Sequence, residues 1–271
     1  MPANEMKARG AAFRLMQQYG IDHPREIELE AIAEDQGVTV IDAPLVGMEA
    51  RLLRRGKKGV IRVRAGIPEG GRRRFAVAHE LGHWFLHEGI SQVFLCTSEN
   101  TRDYKNNPVE IEANMFAAEF LMPRSIFQPF VARLEPTIQN LKDCATEFRT
   151  SLTSTAIRFT ELSPHRTIIV MSRGRQIRWW RPKLDGSRPW IRNGSPLHPE
   201  SLAALCTAEE PVSAIEQVPN EAWLDDNDFS RHVEVTEQSM LMPEYDSILT
   251  VLSVTDKDYE APDMTSRRWS R

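Results

Sequence analysis

The segment His79-Glu80-Leu81-Gly82-His83 constrains the fold of this 271-residue chain more than any other feature. Its two histidines stand four positions apart, and residues with that spacing lie on one face of an α-helix, one turn above the other. The apolar residues around them also recur at helical spacing: Phe75, Ala78, Leu81, Phe85 and Leu86. We therefore predict an amphipathic helix over residues 72–87 that buries one side and directs both imidazoles to one point.

This helix is suited to hold a metal ion between His79 and His83. Zinc binds histidine nitrogen at about 2.0–2.1 Å, and a catalytic zinc has three protein ligands and a water. Glu80 would lie beside the ion and take a proton from that water, whose pKa zinc lowers toward about 7. The motif is that of zinc peptidases, so it predicts His79 and His83 as metal ligands and Glu80 as the general base. The alternative is a helix with two surface histidines and a solvated glutamate.

The third metal ligand must come from elsewhere in the chain. His87 continues the spacing from His83, but a straight helix carries it one turn beyond the ion. A metzincin site is disfavoured, because it needs a histidine six residues after His83, where this sequence has Gly89.

An acidic residue on the next helix is the better source of that ligand. Pro108 is placed to open this helix, and Glu110 and Glu112 follow directly. We predict Glu110 as the ligand and keep Glu112 as the second choice. Asn114 lies four residues after Glu110 on the same helical face, where it can support a ligand by hydrogen bonding. Zinc is the predicted cofactor and manganese the alternative, because first-row metals compete for such sites.

Two stretches carry a resemblance to a known family: RRRFAVAHELGHWFLH at residues 72–87 and EIEANMFAAEFLMP at residues 110–123. They resemble the ImmA/IrrE family of bacterial metallopeptidases over roughly residues 25 to 125. The pair of patterns RxxFxxAHExGHxxLH and ExxANxFAAxxLMP is more specific than HExxH alone. The resemblance implies that His79, His83 and Glu110 hold the metal and that Glu80 is the base. It also implies cleavage of helix-turn-helix transcriptional repressors.

We predict an α+β fold in three parts. Residues 1–125 form a helical, zincin-like peptidase domain with a small sheet, and residues 126–164 form a helical, helix-turn-helix-like segment. Residues 165–271 form a β-rich C-terminal domain. This domain resembles extensions in some family members, and the resemblance implies a sensory role. In the first part, Gly59 to Arg64 alternates apolar and basic side chains, which predicts a strand. We expect this strand to pair with an extended substrate at a sheet edge.

The charges along the chain bear on its partners. Residues 51–74 contain ten Lys/Arg and one acidic residue, whereas residues 209–263 contain fifteen Asp/Glu and two basic residues. We interpret these stretches as a basic face and an acidic face of one fold. Residues 141–159 resemble a helix-turn-helix, but they offer phosphates only Lys142, Arg149 and Arg158. A plain helical pair packed under the peptidase is therefore favoured over a nucleic-acid interface.

The remaining sequence predicts where the chain works and sets the functional alternatives. No apolar run approaches the ~18 residues of a membrane span, no signal peptide opens the sequence, and the three cysteines form no disulfide framework. We predict a cytoplasmic zinc endopeptidase that cuts a protein partner, with Tyr104 as a candidate for oxyanion stabilisation. The first alternative is a DNA- or protein-binding regulatory module whose metal is structural or inactive. The second is a partner that sequesters a repressor without cutting it.

Overall fold

The computed structural model describes residues 3–67, 70–88, 107–183, 191–225 and 228–257. The chain forms two compact units. The first consists of Met1–Leu134 and Gln139–Ser163, and the second of Glu135–Ile138 and Pro164–Arg271. The described residues contain many helices and two separate sheets, which confirms the predicted α+β class.

The helices of the N-terminal part lie largely where the periodicity places them. They are α1 (Glu5–Gln18), α2 (Leu29–Asp35), α3 (Gly70–Leu86), α4 (Pro108–Leu121), α5 (Arg124–Val131), α6 (Ile138–Glu147) and α7 (Leu152–Leu162). Pro108 opens α4 as predicted, and the side chain of Asn107 accepts a hydrogen bond from the Val109 amide at 3.1 Å. None of the described helices combines the length and the apolar character needed to cross a membrane.

The segment from Pro24 to Gln36 does not form one continuous helix. Pro24–Glu26 forms one short 3-10 turn, which His23 and Glu26 close as a capping box. The chain then becomes extended at Ile27, which is completely buried, before α2 begins at Leu29. Burial of Ile27 between the two turns accounts for the break.

The small sheet of the first unit consists of β1 (Val38–Ala43), β2 (Ala50–Arg55) and β3 (Lys58–Arg64). Its order is β1-β3-β2, with β3 parallel to β1 and antiparallel to β2. The expectation that residues 59–64 pair with a substrate at a sheet edge is therefore wrong, because β3 is hydrogen-bonded on both sides. Alternating apolar and basic residues fit a central strand of this sheet as well as an edge strand, because the basic residues Arg62 and Arg64 are only half-exposed.

The second unit contains a five-stranded antiparallel sheet in the order β5-β4-β8-β7-β6. Its strands are β4 (Thr167–Arg173), β5 (Gln176–Lys183), β6 (Glu216–Val218), β7 (Val233–Met242) and β8 (Ser247–Asp256), and its short helices are α8 (Leu202–Leu205) and α9 (Asp228–Arg231). Glu237 of β7 is fully buried and accepts hydrogen bonds from the Trp223 indole, the Ala203 amide and the Ser239 hydroxyl. These three donors compensate the cost of burying the carboxylate.

Candidate metal centre

The structure brings His79, His83 and Glu110 together in the first unit, and all three are buried. The Nε2 atoms of the two histidines are 3.0 Å apart. Oε2 of Glu110 lies 3.1 Å from Nε2 of His79, and Oε1 lies 3.4 Å from Nε2 of His83. Two helices therefore direct three potential ligand atoms at one point.

These distances fit a tetrahedral metal site. Ligand atoms at about 2.0–2.1 Å from zinc in tetrahedral geometry are separated from one another by about 3.4 Å. The two Nε2 atoms are 3.0 Å apart, and each lies 3.1 or 3.4 Å from one of the two Glu110 oxygens, which is close to that value. The geometry thus leaves room for one small cation among the three side chains.

Hydrogen bonds at the far side of each ring indicate which nitrogen carries the proton. Nδ1 of His79 lies 2.9 Å from Oδ1 of Asn114, an acceptor, so the ring proton belongs on Nδ1. This is the supporting contact that the sequence predicted for Asn114. Nε2 of His79 consequently presents its lone pair toward Glu110.

The side chains of His87 and Glu112 likewise determine which nitrogen of His83 carries the ring proton. His87 and Glu112 are buried, with Nε2 of His87 at 3.2 Å from Oε2 of Glu112. A carboxylate only accepts, so His87 donates from Nε2 and accepts at Nδ1. That Nδ1 lies 3.1 Å from Nδ1 of His83, whose proton therefore points away from the metal position. Both Nε2 lone pairs and a carboxylate then face one another, an arrangement that a bound cation stabilises.

The environment of each group favours the state that binds metal. Burial lowers the pKa of His83 to about 4, although Glu110 opposes this, so the ring is neutral at pH 7. Burial raises the pKa of Glu110, but the adjacent imidazoles of His79 and His83 outweigh burial and lower that pKa to about 2. Burial also lowers the pKa of His87. Neutral imidazoles and an ionised carboxylate are the forms that bind a divalent cation.

The close packing of α3 on α4 depends on Gly82. A Cβ atom at this position would lie 3.0 Å from Cα and 3.1 Å from the carbonyl oxygen of Ala113. The two backbones therefore nearly touch one turn from the ligand atoms, as expected for a small residue at the fourth position of the motif. This contact brings Glu110 of α4 within reach of the two histidines of α3.

Glu80 lies on the sheet side of α3 and is completely buried. Its Oε2 accepts a hydrogen bond of 3.0 Å from the backbone amide of Leu52. Leu52 belongs to β2, an edge strand of the small sheet. The carboxylate is thus fixed between the helix that carries the histidines and the edge of the sheet.

Two of these features could not be found from the sequence. The pairing of Glu112 with His87, and with the Asn4 amide at 2.8 Å, joins α1, α3 and α4 across long sequence separations. From the sequence, Glu112 was the second choice for the third metal ligand, and His87 was expected to lie one turn beyond the ion. The structure places both behind His83, whereas the Glu110 oxygens lie next to Nε2 of His79 and His83. Tyr104 lies outside the described residues.

The helix-turn-helix-like segment corresponds to α6 and α7. Arg158 of α7 is 2% exposed and donates to Glu119, Glu161 and the carbonyl oxygen of Met122. Its guanidinium is therefore committed within the protein and is not available to phosphates. This contact agrees with the interpretation as a packed helical pair.

Comparison with known proteins adds a family and a fold. Residues 33–160 match the model of a peptidase family described as the IrrE N-terminal-like domain. A solved structure titled "Mycobacterium tuberculosis transcriptional regulator" is similar with a TM-score of 0.59 at 17% sequence identity, over 92% of this chain and 75% of that one. This likeness shows the fold alone. Among proteins with curated descriptions, none matches the chain.

Proposed function

Because the chain carries an IrrE N-terminal-like peptidase domain over residues 33–160, which confirms the predicted family, we propose that it is a metal-dependent endopeptidase. In this proposal His79, His83 and Glu110 hold the ion, with zinc as the metal and manganese as the alternative. The observation that carries the proposal is the convergence of two imidazole nitrogens and one carboxylate within 3.0–3.4 Å of one another.

The fixed side chains account for the chemistry of hydrolysis. When bound, a divalent metal supplies Lewis acidity, which polarises a carbonyl group and lowers the pKa of a water molecule. Glu80 accepts a proton from the attacking water, whose oxygen forms a bond to the carbonyl carbon. Glu80 then passes this proton to the amide nitrogen as the carbon–nitrogen bond breaks. The Leu52 amide holds Oε2 of Glu80 at 3.0 Å and so limits the rotation of this carboxylate.

We further propose that the substrate is a helix-turn-helix transcriptional repressor and that the reaction takes place in the cytoplasm. The substrate class comes from the family resemblance over the two motif-bearing helices, α3 and α4. The burial of Arg158 removes this cation from any DNA-binding surface on α7.

The proposal predicts that Glu80→Gln keeps the metal and loses cleavage, because an amide cannot take a proton from water. Cells that carry the gene would express either the native chain or Glu80→Gln, and new protein N-termini would be compared by mass spectrometry. We expect a cleaved repressor with the native chain and none with the variant, while the metal content of both purified proteins is equal. Equal cleavage by the variant would exclude Glu80 as the base.

A further inference from the structure

We propose that a cavity at the N-terminal end of α3 binds a small phosphate-bearing anion, independently of the proposed peptidase reaction. The cavity has a volume of about 580 Å³ and lies within the first unit. Its walls are the first turn of α3, the end of α6 and the turn that joins α6 to α7. A volume of this size is typical of sites for small organic ligands.

Among the residues that the structure describes, all charged side chains that line the cavity are cationic. They are Arg74, Lys142 and Arg149, which come from α3, α6 and the turn after α6. Arg149 donates to Glu28 at 3.2 Å and to the carbonyl oxygen of Arg25 at 3.3 Å, which leaves other donors of its guanidinium available. The cavity therefore presents a concentrated positive charge to solvent.

Arg74 is the least solvated of the three cations. Its Nε and Nη2 atoms are buried, and they find no hydrogen-bond acceptor in the part of the chain that the structure describes. Burial lowers the pKa of Arg74, and the nearby charge of Arg149 lowers it further, while Glu28 and Glu30 offset part of this effect. Burying charged donors without acceptors is costly, so Arg74 contributes an uncompensated positive charge beside the cavity. An anion in the cavity would neutralise the repulsion between the two arginines.

The local backbone keeps this cavity in place. A Cβ atom on Gly71 would lie 2.2 Å from the carbonyl carbon of Thr150, so only glycine allows α3 to begin against the α6–α7 turn. Arg149 has a φ of 51°, a left-handed conformation in which glycine is usual after a helix.

A small anion fits this site better than a nucleic acid does. Glu28 is paired with Arg149 at 3.2 Å, and Glu30 is paired with Arg73, so carboxylates lie next to the cationic cavity. Those carboxylates would repel an extended polyanion, whereas a compact anion within the cavity can avoid them. The site is also distinct from the candidate metal centre, because Gly70 precedes His79 by nine residues, or about 14 Å along a helix.

Isothermal titration calorimetry with inorganic phosphate at constant ionic strength tests the proposal. We expect saturable binding by the native chain and at least tenfold weaker binding by Arg74→Met and by Lys142→Met. Lys142 is exposed, so this second variant serves if Arg74→Met fails to fold. Arg133→Met changes an exposed arginine that does not line the cavity, and it should bind phosphate like the native chain.

Glu110→Ala distinguishes this site from the metal centre. It should bind phosphate like the native chain even if the proposed peptidase site is lost. No binding by the native chain, loss of binding in Glu110→Ala, or unchanged binding in both Arg74→Met and Lys142→Met would each overturn the proposal. Binding of duplex DNA that depends on Arg74, without binding of inorganic phosphate, would also overturn it and would favour a nucleic-acid site.

Discussion

At the scale of single residues, the side chains behind the candidate ligands fix the orientation of the two histidine rings. Nδ1 of His79 faces Asn114, and Nδ1 of His83 faces His87, which is fixed in turn by Glu112. Each contact sets a tautomer and a ring orientation before any metal arrives. Residues of this kind typically change metal affinity by 10- to 100-fold when they are replaced.

We therefore expect His87→Ala to weaken metal binding by about 10- to 100-fold. His87→Gln should retain most of the affinity, because its carbonyl oxygen can accept from His83 while its NH₂ group donates to Glu112. Competition with a chromophoric chelator measures both affinities. His198→Ala, in the second unit, is the control. Native affinity in His87→Ala would show that the ring of His83 is oriented without His87.

At the scale of secondary-structure elements, the contact between α3 and α4 contributes both to the free energy of unfolding and to the position of Glu110 in the candidate metal centre. Gly82→Ala places a methyl group 3.0 Å from Cα of Ala113, so the two helices must separate. We expect a loss of about 1–3 kcal/mol in the free energy of unfolding, together with weaker metal binding because Glu110 moves away. Urea denaturation and chelator competition measure the two effects.

Gly10→Ala is a matched control for this substitution. Gly10 lies inside α1, and its Cβ position has a single neighbour, the Arg14 guanidinium, at 3.4 Å. Alanine should raise the free energy of unfolding there by about 0.5–1 kcal/mol. If Gly82→Ala behaved like Gly10→Ala, the close contact between α3 and α4 would not be required.

Arg158 provides a second prediction for an element, because it fixes α7 to the end of α4. The guanidinium donates to Glu119 at 2.5 Å and to the Met122 carbonyl oxygen at 2.9 Å. Arg158→Ala leaves Glu119 without this partner and should lower the free energy of unfolding by about 3–5 kcal/mol. Arg133→Ala, at an exposed position, should change it by less than about 0.5 kcal/mol. A stable Arg158→Ala variant that lost binding to DNA would instead assign this arginine to a nucleic-acid surface.

The elements could be predicted where a local signal exists. Helical periodicity and Pro108 placed α3 and α4, and the alternation of side chains placed β3. β7 carries a weaker signal, because Glu237 and Ser239 occupy buried positions and interrupt the apolar face of the strand. The central position of β3 was not predictable, since strand order depends on contacts between segments that are distant in sequence.

At the scale of the whole molecule, the candidate site lies within one of the two compact units. His79, His83 and Glu110 were predictable because helical spacing and a pair of motifs place them on two adjacent helices. The His87–Glu112–Asn4 connection was not predictable, because it requires α1, α3 and α4 to meet. The roles of these residues remain a proposal, as does the sensory role of the second unit.

Elemental analysis of the purified chain beside Glu110→Ala and His83→Ala tests the central claim most directly. We expect one zinc or manganese per native chain and none in either variant, because each variant removes one of the three converging ligand atoms. Circular dichroism would confirm that the variants are folded. A native chain that holds no metal even after loading, or variants that keep the native metal content, would contradict the account.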